Sequence, residues 1–97
     1  MLQVEFEWDD TKCALNFEKH GIDFEDAATI FNAPVLISPS NRGSEARWIA
    51  VGLLDGAEIA VVFAKRGDKY RLISARRARR HERRAYRQTY PGHPEEG

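Results

Sequence analysis

The sequence predicts an α+β fold: an N-terminal strand and two helices, an antiparallel β-meander, and a basic C-terminal helix. Three observations lead to this fold class. Apolar and polar residues alternate from Leu2 to Trp8, which is typical of a half-buried strand. Two segments with helical periodicity follow before Pro34, and several β-rich segments separated by short turns come after it. Elements grouped in this order favour one antiparallel sheet with helices packed against it.

The first helix is expected to start at Asp9 or Asp10, whose carboxylates can cap free N–H groups, and to end at Gly21. We expect Ala14 and Phe17 to face the core, while Lys12, Asn16 and Lys19 fall mainly on other faces. A second, short helix should follow its cap at Asp23, with Asp26 at the capping-box position. Its apolar face has helical spacing and consists of Phe24, Ala27, Ala28 and Phe31.

The meander is predicted from β-rich segments and the turns between them. Asp55-Gly56 is a typical hairpin sequence, and Gly67-Asp68 marks the next turn. A polar loop is expected over 39–45. The predicted strands are 35–38, 46–54, 58–66 and 69–75.

Composition limits the class of protein. The 97 residues suffice for one domain, expected over 1–90, and the Pro- and Gly-containing segment 91–97 should be a flexible tail. The lone Cys13 cannot form an internal disulfide, and no apolar segment approaches the length of a membrane-spanning helix. We therefore expect a cytoplasmic protein that does not associate with a membrane.

Charge is distributed unevenly although the net charge is zero. Segment 65–87 contains eleven Lys or Arg and two acids, whereas residues 1–64 contain eleven acids and four bases. If 75–89 is helical, four cations form one stripe: Arg76, Arg80, Arg83 and Arg87. Like charges at this spacing repel, so the stripe needs an anionic partner, either phosphate or the acidic half of the chain itself.

The sequence gives little support for a metal site or for a catalytic nucleophile. Cys13 and His20 lie about 10 Å apart on one helix, which is too far for a shared zinc ion. His81 and His93 have no partner at ligand spacing, and Cys13 and Ser74 lack the sequence context of a nucleophile. We predict no metal site and no cofactor.

Two titratable residues have both a structural and a functional interpretation. Glu82 falls on the inner side of the predicted helix, where a carboxylate needs a partner from Arg79 or from the sheet. It either braces the helix or orients a catalytic arginine. His20 either caps the end of the first helix or transfers protons, a role for which histidine is the most suitable residue type. Trp48 is either a core residue or a platform for an unpaired base.

Three ordered motifs resemble the BrnT family of type II toxin–antitoxin toxins: FEWDDTKCALNFEKHGIDFEDAATIF, ARWIAVG and LISARRARRHERRAY. The resemblance covers about residues 4–87, and the extended C-terminal segment departs from it. It implies a RelE-like fold and a ribonuclease that blocks translation. It also implies a cognate ribbon-helix-helix antitoxin, similar to BrnA, that neutralises the toxin and binds operator DNA.

The residues fit RNA cleavage by 2′-hydroxyl attack, in which arginines stabilise the phosphate charge without a metal. The predicted catalytic residues are His20, Arg47, Arg66, Arg76 and Glu82. The predicted RNA- or antitoxin-binding residues are Lys12, Trp48, Arg71, Arg80, Arg83, Tyr86 and Arg87. The alternative is a non-catalytic subunit of a repressor complex that binds nucleic acid or another protein.

Overall fold

The structure, a computed structural model, describes residues 4–40 and 46–91. It confirms the α+β class. The helices are α1 (Asp10–His20), α2 (Phe24–Ala28), which continues into a 3₁₀ turn (Thr29–Asn32), and α3 (Arg80–Thr89). The strands are β1 (Glu5–Glu7), β2 (Leu36–Ser40), β3 (Arg47–Leu54), β4 (Ala57–Arg66) and β5 (Lys69–Arg77).

The five strands form one mixed sheet in the order β1-β5-β4-β3-β2. Strands β2 to β5 are the predicted antiparallel meander, and the hairpin between β3 and β4 turns at Asp55 and Gly56, which both have positive φ. The prediction of an entirely antiparallel sheet is wrong, because β1 pairs with β5 in parallel. Local periodicity does not encode this direction, since it depends on how the intervening elements return the chain to the sheet.

One face of the sheet packs against α1, α2 and the 3₁₀ turn. Alternate strand residues point to this side, among them Ala50, Val61 and Phe63, and they enclose Phe24 and Ile30. An aromatic cluster closes one end of this core and consists of Phe6, Phe31, Phe63 and Tyr70.

Helix α1 contacts the sheet differently from the prediction. Asp9 caps its start, and Gly21 ends it with a φ of 75°. Phe17, expected in the core, is 55% exposed, and Ala14 is exposed as well. Asn16 is buried in their place, because its side-chain amide bonds both the N–H and the C=O of Ala75 in β5. A polar anchor therefore determines which side of α1 faces inward.

Helix α3 packs on the opposite face of the sheet, above the strand residues that alternate with the first set. Val51 and Ala60 meet Ala78 and Tyr86 there. The helix begins at Arg80, whereas residues 75–77 pair with β4 and belong to β5. The predicted helical stripe therefore loses Arg76, which is a strand residue.

Two boundary predictions also change. Strand β2 continues through Pro39 and Ser40, which were expected to start a loop; β2 is an edge strand, where a missing N–H is tolerated. The remainder of that loop, 41–45, and the tail beyond Pro91 lie outside the described residues. Within 4–40 and 46–91, no helix is long and apolar enough to cross a membrane.

Candidate active site

A cleft of about 520 Å³ opens between the α3-facing side of the sheet and the first turn of α3. The lining includes polar, cationic and apolar side chains. The lining consists of Pro39, Ser40, Arg47, Ile49, Val62, Ile73, Ser74, Arg76, Arg79, His81 and Glu82. Neighbouring strands and the following helix thus bring together residues from four parts of the sequence.

Arg76 and Glu82 form a bidentate ion pair in the cleft. The two guanidinium Nη atoms of Arg76 donate to the two carboxylate oxygens of Glu82 at 2.8 and 2.9 Å. The Arg79 backbone N–H also donates to Glu82, at 2.7 Å. This contact satisfies a free N–H at the start of α3. The carboxylate therefore joins β5 to the helix and holds the plane of the Arg76 guanidinium.

The ionisation of this pair follows from its hydrogen bonds. The side-chain bond from Arg76 lowers the pKa of Glu82 from its usual 4.5 to about 2, against an opposing effect of burial. The same bond raises the pKa of Arg76. Both groups are charged at neutral pH, so Glu82 cannot act as a general acid there. Both proposed functions of Glu82, as a brace and as the orienting group for an arginine, fit this geometry.

Arg47 is the first residue of β3 and lines the cleft. Its Nε is fully shielded and has no hydrogen-bond partner among the described residues. A buried N–H without a partner is costly, by about 1–3 kcal/mol. Such a group needs an explanation in a native structure.

His81 is the one functional candidate that sequence reasoning missed. It is the second residue of α3, it is exposed, and it lines the same cleft as Arg47 and Glu82. In the sequence, His81 is notable only as a histidine without a partner at metal-ligand spacing. Its position directly before Glu82 could have identified it, because the partner of Glu82 is a cleft arginine.

Two predicted catalytic residues do not line this cleft. His20 ends α1, on the face of the sheet opposite α3, and is exposed. Arg66 ends β4 at the hairpin with β5 and is also exposed. The structure thus brings Arg47, Arg76 and Glu82 together and leaves His20 and Arg66 elsewhere.

The predicted binding residues also separate into groups. Lys12 is exposed on α1, away from the cleft. Arg71 bonds Glu7 across the β1–β5 pair at 3.2 Å. Trp48 packs partly against the core on the α1 side, and Lys65 Nζ lies 4.4 Å from its ring centroid.

Tyr86 was predicted on a binding surface, but it is only 4% exposed and belongs to the core beneath α3. Burial raises the pKa of its phenol. The ring cannot stack on a base, because the sheet already covers it. The prediction for Tyr86 as a binding residue is therefore wrong.

The remaining arginines form a groove along α3, named here the arginine groove. It has a volume of about 600 Å³ and is lined by Arg80, Arg83, Arg84, Arg87, Gln88 and Pro91. Buried Glu58 of β4 accepts two bonds from Arg87, both at 2.8 Å, and lies 4.0 Å from Arg83. The chain itself therefore supplies part of the anionic partner that the stripe was expected to need.

Together, fold and cleft define a small α+β protein with a cationic site suited to a phosphate group. Among the described residues, no group of three His, Cys, Asp or Glu could hold a metal ion. The comparison with known families is specific. The chain belongs to the family described as ribonuclease toxin, BrnT, of type II toxin-antitoxin system, which matches residues 8–82.

A solved relative supports the same assignment. The chain is similar to the crystal structure of the Brucella abortus ribonuclease toxin BrnT, with 30% sequence identity and a TM-score of 0.61. The match covers 80% of this chain and all of the other. No protein of curated function matches the sequence. The predicted membership in this family is confirmed, and the RelE-like relationship stays a prediction.

Proposed function

We propose that this chain is a cytoplasmic, metal-independent endoribonuclease that cuts RNA and thereby blocks translation. One observation carries the proposal: Arg47, Arg76 and His81 line a single cleft, in which an ionised Glu82 holds Arg76. Membership in a family of ribonuclease toxins supports the reaction class. The residues of the cleft support the proposed mechanism, in which arginines stabilise the phosphate charge and a histidine transfers a proton.

The proposed reaction is attack of a ribose 2′-oxygen on the adjacent phosphorus. The 2′-oxygen–phosphorus bond forms and the phosphorus–5′-oxygen bond breaks, which leaves a 2′,3′-cyclic phosphate and a 5′-hydroxyl. Negative charge increases on the phosphate oxygens in the transition state. Arg76 and Arg47 stabilise it, and Arg76 is already oriented, so little reorganisation is needed.

Proton transfer is assigned to His81 in place of His20. A neutral imidazole can accept the proton of the 2′-hydroxyl, and it must lie within hydrogen-bonding reach of that group. His81 lines the same cleft as the two arginines, whereas His20 lies across the sheet. The leaving 5′-oxygen takes its proton from water in the open cleft. Glu82 stays ionised and serves as the positioning residue for Arg76.

The test is cleavage of single-stranded RNA by purified protein in the presence of a chelator. Arg47→Ala and Arg76→Ala should each lose activity, and should also lose growth arrest on expression. Arg77→Ala is the matched control, since Arg77 is the exposed neighbour of Arg76 and does not line the cleft. Full activity of both cleft variants would refute the assignment. Salt-dependent RNA binding without cleavage products would favour the non-catalytic alternative.

We further propose that a ribbon-helix-helix antitoxin similar to BrnA neutralises the protein and connects it to operator DNA. Membership in a type II toxin-antitoxin family supports an antitoxin partner, and the earlier sequence resemblance supports its class. A small ribbon-helix-helix reading frame next to this gene is expected. Its product should co-purify with the toxin and suppress RNA cleavage; absence of both effects would contradict the pairing.

A further inference from the structure

We propose that the arginine groove binds the backbone of single-stranded RNA as it leaves the cleft. This inference rests on the proposed function and extends it to a second site. Arg79 lines the cleft and the next residue, Arg80, lines the groove, so consecutive residues at the start of α3 border the two cavities. A strand with its reacting phosphate beside Arg76 can therefore continue along the helix.

The groove is charged unevenly along its length. Glu58 neutralises part of the charge of Arg83 and Arg87 and holds Arg87 through two hydrogen bonds, whereas Arg83 donates to the backbone C=O of Ala78. Arg80 and Arg84 are exposed, and within the described parts of the chain neither side chain has an ion pair or hydrogen bond to another residue. These two supply the excess positive charge that attracts an anion.

The spacing of these two cations suits a nucleic acid strand. Residues four apart on a helix are separated by about 6 Å along its axis. Consecutive phosphates of an extended strand repeat at a comparable distance. A guanidinium presents a planar fork of donors that matches a phosphate, so Arg80 and Arg84 can each engage one.

The composition of the groove favours RNA over an acidic protein segment. Protein interfaces depend on buried apolar and aromatic anchors at their centre. Among the described residues, the groove offers four arginines, one glutamine and one proline, and no large apolar side chain. Such a surface suits backbone contacts that do not depend on base sequence.

The experiment measures binding of a short single-stranded RNA methylated at every 2′-oxygen, which lacks the attacking hydroxyl and cannot be cut. The variant is Arg80→Ala with Arg84→Ala, which keeps a good helix former at exposed positions. The control is Lys19→Ala with Lys69→Ala, two exposed cations on α1 and at the far end of β5. Affinity is measured across a range of salt concentrations.

Loss of two phosphate contacts should reduce the slope of log affinity against log salt by about 1.4 in the groove variant, and leave it unchanged in the control. An unchanged slope in the groove variant, or an equal fall in the control, overturns the inference. Binding of oligoglutamate, a probe for an acidic protein segment, is measured with the same variants. If the groove variant loses oligoglutamate binding but keeps RNA binding, the inference is overturned in favour of an acidic protein. Cleavage of unmodified RNA by the wild-type protein is measured separately. If the protein cuts RNA but the salt slope is unchanged in the groove variant, only the groove inference is refuted. If the slope falls as expected but the protein does not cut RNA, only the proposed reaction is refuted.

Discussion

Replacing Glu82 by Gln would leave the Arg76 guanidinium beside a neutral amide. The pKa of Glu82, about 2 against a usual 4.5, corresponds to an interaction of about 3 kcal/mol at most. The side chains of Arg76 and Glu82 are 17% and 9% exposed, and they border an open cleft where water screens the pair. We therefore expect Glu82→Gln to lower the free energy of unfolding by about 2 kcal/mol at pH 7.

The effect should depend on pH in a definite direction. The folded-state pKa of Glu82 is depressed, so its stabilising contribution is fully present above about pH 4.5 and is lost as the pH falls towards 2. The gap between wild type and Glu82→Gln should therefore shrink by about half at pH 3.

Urea unfolding at about pH 7, 5 and 3 measures these differences across the titration range of Glu82. Glu25→Gln, at an exposed position in α2, is the matched control and should change little. The same Glu82→Gln protein should cut RNA with a reduced kcat, because Arg76 is no longer held. The reasoning would be refuted if Glu82→Gln were as stable as the wild type at pH 7. It would also be refuted if the difference in free energy of unfolding between the two proteins were the same at pH 7 and pH 3.

Three further changes test other parts of the structure. Asn16→Ala should lower the free energy of unfolding by about 2–4 kcal/mol, since it leaves buried backbone groups of β5 unpaired. The control Asn32→Ala, at an exposed position, should change it little, and equal effects of the two substitutions in urea unfolding would contradict this. Gly52→Ala should cost about 1–3 kcal/mol in thermal unfolding because its new Cβ would lie 2.9 Å from Val35 Cγ1; an unchanged Tm would contradict that contact. His81→Ala should reduce kcat for RNA about 10²–10⁴-fold without loss of stability, and a wild-type pH–rate profile would remove His81 from the mechanism.

Local chemistry in the sequence was enough to predict several elements. The cap at Asp9, the end of α1 at Gly21 and the turn at Asp55-Gly56 all depend on residues within a few positions of each other. Such features are encoded where they occur, because a carboxylate or a glycine acts on its own backbone. The parallel direction of β1 has no comparable local cause.

The site was predictable only in part, because it depends on where β5 ends and α3 begins. The sequence indicates that Glu82 needs a cationic partner but does not distinguish Arg79 from an arginine of the sheet. The structure selects Arg76, since residues 75–77 extend β5 and place that side chain beside the helix. The same boundary moves His81 into the cleft, whereas His20 lies behind the sheet.

Buried polar residues account for the error on α1. A pattern of apolar spacing assigns Phe17 to the interior and Asn16 to the surface. The opposite arrangement occurs because Asn16 satisfies backbone groups of Ala75 and Ile22 that the sheet cannot pair. The hydrogen-bonding needs of distant backbone are invisible in the periodicity of one helix.

The central claim is that an arginine cleft cuts RNA through the 2′-hydroxyl. The most direct measurement identifies the ends produced when purified protein cuts a short RNA in the presence of a chelator, beside the same strand with a single 2′-deoxy substitution at the cut site. We predict a 2′,3′-cyclic phosphate and a 5′-hydroxyl from the RNA, and no cut at the substituted position. Cleavage of the substituted strand, or products that end in a 3′-hydroxyl, would contradict the account.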